Sequence, residues 1–350
     1  MTTGKRIIAG ILLCCGMLTG AAAAQEPDIP YADVPRTHWA AHSIAWCTHY
    51  GLNEGDGLGN FGLGQTMSRA ACVTVLCRLM GWEMVTPVRG SFADNMDSSA
   101  WYYAAVETAA AHGALQMGEY CRPLEGATRE ELTAMLLRAM GYAALAGTVT
   151  QTHPFTDVTT SGGYITLACE MGLVRGTSEN TFSPQETVTR EMAATIFLRA
   201  YDRLYGTLDV REVRSIAQVP DNSLAVAGIY ETAEGQPPIA PRIPIESLYH
   251  ALQTAGDLPI AMYAIPYYYT RGADGTWSGT ALSQRELNTF LTQGGEMGRS
   301  TRHKSSYLYW VEDDGTEHML WYESEVDIME KIQFCSLMGA KQVYLVRPKL

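Results

Sequence analysis

The feature that most constrains this chain is that it repeats itself. Three stretches between residues 31 and 206 pass through the same series of landmarks. The first opens Tyr31-Ala32-Asp33-Val34 with His38-Trp39, the second Phe92-Ala93-Asp94 with Trp101-Tyr102, the third Phe155-Thr156-Asp157-Val158 with Tyr164-Ile165. Each then runs through a small-residue segment to a glycine (Gly51, Gly113, Gly172) and crosses a polar loop. Each reaches Ser68-Arg69, Thr128-Arg129 or Thr189-Arg190, arginines 60 and 61 residues apart. A period of this size marks units that cannot bury an apolar face alone and must pack on one another.

Each unit reads as helix, loop, helix. In the first, Ile44 and Cys47, then Val73, Leu76, Leu79 and Met80, recur at helical spacing. The glycines suit the left-handed position that ends a helix. Ser68, Thr128 and Thr189 suit an N-cap, and Thr128-Arg-Glu-Glu131 has the form of a capping box. The arginine therefore falls on the first helical residue three times, at the end of the helix dipole that disfavours a cation. Two readings stay open. Free amides and a guanidinium fork together hold an anion or a carboxylate well; alternatively each arginine pairs with the opening Asp of its unit and ties loop to helix.

The pattern Phe-x-Asp-Val, Trp/Tyr, Gly-Leu, Phe-x-Pro, Thr-Arg-Glu in three tandem copies resembles the S-layer homology module. The resemblance implies an α + α/β chain: three helix-loop-helix repeats (31–86, 91–147, 154–206) forming a pseudo-threefold helical spindle, followed by a small α/β region. It also implies non-covalent anchoring to secondary cell-wall polysaccharide bearing pyruvylated sugars, in grooves between units. Carbohydrate-binding residues carried over by the resemblance are Asp33, Asp94 and Asp157, Trp39, Trp101 and Tyr164, and Arg69, Arg129 and Arg190. Unit one departs from the pattern in Ser68-Arg69-Ala70-Ala71, which lacks the acidic residue. Unit two carries Gly118-Glu119-Tyr120-Cys121-Arg122-Pro123 in place of a Gly-rich loop. Arg129 and Arg190 are thus expected to matter more than Arg69.

Other parts of the chain narrow its setting. Lys5-Arg6, an apolar run from Ile7 to Leu18 and Ala21–Ala24 describe a secretory signal peptide, residues 1–24. The apolar run is too short to span a bilayer, so no membrane association is expected after cleavage. With 25 Lys+Arg against 37 Asp+Glu the chain is strongly acidic, which disfavours nucleic acid. Six cysteines lie beyond the signal, with no CxxC pair or Cys/His cluster, so no metal or cofactor is expected and the thiols read as small buried hydrophobes. Gly57-Leu58-Gly59-Asn60-Phe61-Gly62 follows a helix rather than a strand, so it reads as a turn-rich loop and not a dinucleotide site.

From Thr207 the texture changes. Pro220, Pro237, Pro238, Pro241 and Pro244 suggest a linker over 207–244. Beyond it the pattern predicts helices near 245–254, 283–293 and 325–338, and strands at 258–269 and 342–346. It also predicts a hairpin of 306–312 and 317–322 around Asp313-Asp314-Gly315-Thr316. Leu258–Tyr263 and the run Trp310–Glu323, with Lys331 and Gly339, resemble the last third of a glycoside hydrolase family 18 barrel, and 245–350 would be that end. The family's Asp-x-x-Asp-x-Asp-x-Glu string does not occur, and only 144 residues remain for a barrel that needs about 250. The expectation is an exported, non-enzymatic cell-wall protein with no catalytic residue. The alternative is a wall-directed glycosidase acting on peptidoglycan or chitin-like glycans.

Overall fold

The structure, a computed structural model, describes residues 26–226, 240–272 and 274–347. The expected signal peptide lies outside them. The chain divides into two compact units, one ending at Tyr205 and one beginning at Gly206.

The N-terminal unit is helical. Its first helices are α1 (Ala41–His49), α3 (Tyr103–Ala111) and α6 (Gly162–Glu170). Its second helices are α2 (Arg69–Leu79), α4 (Arg129–Ala139) and α7 (Arg190–Tyr205), and a short α5 (Ala143–Ala146) closes the second repeat. The caps act as their chemistry requires. Ser68 Oγ accepts from the Ala71 amide, and Thr128 and Glu131 close a reciprocal box. Gly51, Gly113 and Gly172 each adopt φ near +70° just past a first helix, a conformation that would strain a side chain.

Each first helix packs on the second helix of the preceding repeat, and the order closes on itself. α3 lies on α2, α6 on α4, and α1 on α7. At the last contact Tyr50 stacks on Tyr201 with ring centroids 3.9 Å apart, and Cys47 donates to the Ala194 carbonyl at 3.2 Å. The loops are tied in the same cyclic sense. The Arg69 amide donates to Glu125 of the second repeat, the Arg129 amide to Glu186 of the third, and the Arg190 amide back to Gln65 of the first. Phe61, Phe92, Phe182 and Phe197 fill the interior. The Gly57–Gly62 run is a loop in which Asp56 accepts from the Leu58 and Asn60 amides.

The C-terminal unit holds two sheets. Strands β1 (Asp209–Val213), β2 (Leu224–Val226), β3 (Ile260–Tyr263) and β9 (Gln342–Val346) form a parallel sheet in the order β1-β9-β3-β2. Strands β4 (Tyr267–Arg271), β5 (Trp277–Ala281), β6 (Glu296–Ser300), β7 (Ser305–Val311) and β8 (Glu317–Tyr322) form an antiparallel sheet in the order β5-β4-β8-β7-β6. Helices α8 (Ile245–Ala255), α9 (Gln284–Leu291) and α10 (Glu325–Leu337) complete the unit. Ile260, Met262, Val343 and Leu345 are nearly solvent-free, as a parallel sheet demands. The antiparallel sheet buries Leu308 and Leu320 against Leu282 and Leu287, with Tyr268, Phe290 and Trp310 packed around them.

Two expectations need correction here. Residues 207–226 are not a linker: β1 pairs with β9 and β2 with β3, while 227–239 of the expected linker lie outside the described residues. The proline-punctuated stretch hid strands of five and three residues, too short to show a period. The single strand expected over 258–269 is two strands in different sheets, because the chain turns at Ala264-Ile265-Pro266.

Candidate functional site

The three opening aspartates organise loops. Asp33 accepts from the amides of Phe61, Gly62 and Leu63 at 2.7, 2.7 and 3.1 Å. Asp94 accepts from Cys121 and Arg122, and Asp157 from Phe182 and Ser183. Partial burial works against ionisation of Asp33 and Asp94, yet the amide donors outweigh it and hold both below the usual carboxylate range. At Asp157 the Phe182 amide leads the same lowering.

The three helix-starting arginines bridge repeats, each to the loop of the next. Arg129 donates from Nε to the Phe182 carbonyl and from a terminal nitrogen to the Arg175 carbonyl, both at 2.8 Å, with its guanidinium over the Phe182 ring. Arg190 does the same toward Phe61 and Glu54, at 2.7 and 2.6 Å. Arg69 donates from Nε to the Cys121 carbonyl at 2.7 Å, but its terminal nitrogen goes to Glu131 at 2.6 Å. Their partners are thus carbonyls and Glu131 rather than the opening aspartates. Burial opposes charge on Glu131, but the Thr128 amide and the guanidiniums of Arg69 and Arg122 keep its pKa low.

Of the expected aromatic residues, Trp39 is 62% and Trp101 65% exposed, too wet for a packing role. Tyr164 is half-buried under the Arg138 guanidinium, 5.0 Å from its ring centroid.

A polar groove of about 380 Å³ lies where the repeats meet. Arg69, Arg122, Arg138, Glu130 and Glu131 supply its charged wall, and Gln116 and Thr160 are among its other lining residues. Sequence reasoning missed Arg138. It belongs to a second repeated set, Arg78, Arg138 and Arg199, each nine residues past a helix-starting arginine. That offset was the available signal.

In the C-terminal unit a cleft of about 730 Å³ opens beyond the carboxyl ends of β1, β3 and β9. Glu212, Arg347, Glu323 and Glu325 lie in its wall. Arg347 grips Glu325 through two contacts of 2.6 and 2.9 Å. Glu323 is buried with Lys331, and Ser305 contacts both. Burial lifts the Glu323 carboxyl to about 7 and pulls Lys331 down, although each favours the other's charge. The tryptophans of the hairpin in this unit are packed: Trp321 is 7% exposed, and Trp310 stacks with His318 at 4.7 Å. Among the described residues no group of His, Cys, Asp and Glu is arranged to hold a metal, and no helix is long and apolar enough to cross a membrane. The six cysteines are unbridged.

Residues 154–194 match the S-layer homology domain, so the chain carries that module, and its third repeat is the one matched. It is 27% identical over 232 residues to an S-layer protein of Bacillus thuringiensis subsp. finitimus, covering 63% of this chain and 27% of that protein. It is 29% identical over 195 residues to an amylopullulanase of Thermoanaerobacterium thermosulfurigenes, covering 53% of this chain and 10% of that enzyme. This chain therefore spans about a quarter or less of these relatives' length. The domain and its S-layer relatives place the protein outside the bacterial cell, at the wall or surface layer. Among solved structures, the spore cortex-lytic enzyme SleL of Bacillus cereus is similar at 11% identity and a TM-score of 0.29, covering 36% of this chain and 31% of that one.

Proposed function

We propose that the three repeats form a pseudo-threefold spindle that anchors the protein non-covalently to an anionic, pyruvylated secondary cell-wall polysaccharide. The observation that carries this reading is the inter-repeat groove, where three guanidiniums converge on a polar concavity sized for a sugar. Three arginines against two glutamates leave the groove wall net positive in a chain that is otherwise acidic. A ketal carboxylate meets a guanidinium in a charge-assisted, forked hydrogen bond, which a neutral glycan cannot form. The exposed faces of Trp39 and Trp101 offer apolar surfaces to sugar rings.

The C-terminal unit is proposed to be non-catalytic. The cleft's buried carboxyl, Glu323, is already held by Lys331 and Ser305, and Glu325 and Glu212 both face Arg347, so among the described residues no opposed acid and base stand free across it. The test is co-sedimentation of the full chain with wall sacculi before and after the secondary polymer is stripped by acid. Binding is expected to vanish after stripping. Undiminished binding refutes the anchoring reading, and release of reducing sugar from the sacculi refutes the non-catalytic one.

A further inference from the structure

The two repeated arginine sets break their symmetry at one place. In repeats one and three the helix-ending arginine ties its own helix to the turn after the first helix. Arg78 donates to the Leu52 carbonyl at 3.1 Å and pairs with Glu54 at 3.0 Å, and Arg199 donates to the Leu173 carbonyl at 3.4 Å. The equivalent acceptor for Arg138 is Ala114, yet the Arg138 side chain makes no hydrogen bond or ion pair among the described residues, and its guanidinium instead sits over Tyr164, 5.0 Å from the ring centroid. Arg69 shows the same departure. Its counterparts Arg129 and Arg190 reach the carbonyls of Arg175 and Glu54, whereas Arg69 leaves the equivalent Gln116 and turns to Glu131. Both arginines have thus withdrawn from the 114–116 turn, and Leu115 and Gln116 face the groove between them.

Resting on the anchoring reading above, we infer that Arg138 is the carboxylate-receiving residue of the protein and that the groove of the second repeat is its principal acidic-glycan site. The other arginines of the two sets are engaged by carbonyls or glutamates; here Arg69 and Arg122 share Glu131, Arg122 also pairs with Glu125 at 3.4 Å, and the Arg138 side chain has no ion pair among the described residues. The Tyr164 ring holds the guanidinium by a cation–π contact at 5.0 Å, which leaves its N–H donors for a forked contact. Glu130 accepts from Thr160 and Gln185 on the same wall, which fixes the polar floor beside the arginine.

The experiment is calorimetric titration of the full chain with a methyl hexopyranoside carrying a 4,6-linked pyruvate ketal, and with the same glycoside lacking the ketal. Arg138→Gln is expected to weaken ketal binding about tenfold or more, the scale of a lost hydrogen bond to a charged group. Arg138→Lys is expected to recover part of that loss. Arg78→Gln and Arg199→Gln should bind within about twofold of the parent, and circular dichroism and melting temperature identify any variant that is misfolded. A folded Arg138→Gln that binds like the parent overturns the assignment while leaving the anchoring reading intact. A parent that does not distinguish the ketal from the plain glycoside overturns both.

Discussion

Replacing Arg129 separates a tie between repeats from a ligand contact. Its side chain is buried, burial lowers its pKa, and its two donated bonds end on the backbone carbonyls of Phe182 and Arg175. Arg129→Met keeps the aliphatic stem and the contact with Phe182 but leaves the Phe182 and Arg175 carbonyls without their donor. A hydrogen bond to a charged group contributes about 1.5–3 kcal/mol. Two such bonds, less what water recovers at the partly open Arg175 end, give a loss of about 3–5 kcal/mol. For a unit of this length that corresponds to a fall of about 6–20 °C in Tm. Differential scanning calorimetry of the full chain reads it as a shift of the transition of the helical unit, with the transition of the C-terminal unit unmoved. A shift under about 2 °C together with lost wall binding would refute the reasoning and make Arg129 a ligand residue.

The remaining predictions are local. Lys331→Met leaves the Glu323 carboxyl buried without its cation, and breaking such a pair costs about 3–5 kcal/mol. Urea unfolding should show the larger loss at pH 8 and a smaller one at pH 5, where the carboxyl is protonated; equal losses contradict the account. In the parent, the folded Glu323 carboxyl sits near 7 against 4.5 unfolded. Its contribution is therefore complete below pH 4.5 and declines as pH rises through 7, by about 1.4 kcal/mol per unit within that window. Trp101→Ala removes a ring that is 65% exposed, so it should change stability by less than about 0.5 kcal/mol while weakening retention on sacculi. A large stability loss would show that the indole is a packing residue. Burial pushes the thiols of Cys47, Cys72 and Cys335 to about 12, so the native protein should react with Ellman's reagent only as it unfolds; rapid native labelling would contradict their placement.

Much of the helical unit was legible because its signals are local. Ser68 and Thr128 cap where an oxygen three residues before an amide must cap, and the glycines stop helices where only a positive φ continues the chain. The destination of each arginine was not legible. Arg190 ends on carbonyls of Phe61 and Glu54, more than a hundred residues away, and a carbonyl belongs to every residue alike. The hairpin around Asp313–Thr316 was readable from turn chemistry, with Gly315 at φ +85°. The strand β1 was not: its residues are largely exposed, and its pairing with β9 spans more than 130 residues of chain. The resting place of Trp310 and Trp321 inside the antiparallel sheet was likewise set by pairing register, which composition does not encode.

The central claim is that a carboxylate on the wall glycan holds the protein in place, and competition measures this most directly. Full-length protein bound to native sacculi is titrated with free ketal-bearing glycoside and, separately, with the glycoside lacking the ketal, and the released fraction is read by fluorescence. The account predicts complete release by the first and retention in the presence of the second at the same concentration. Equal release by both, or retention against both, would contradict it.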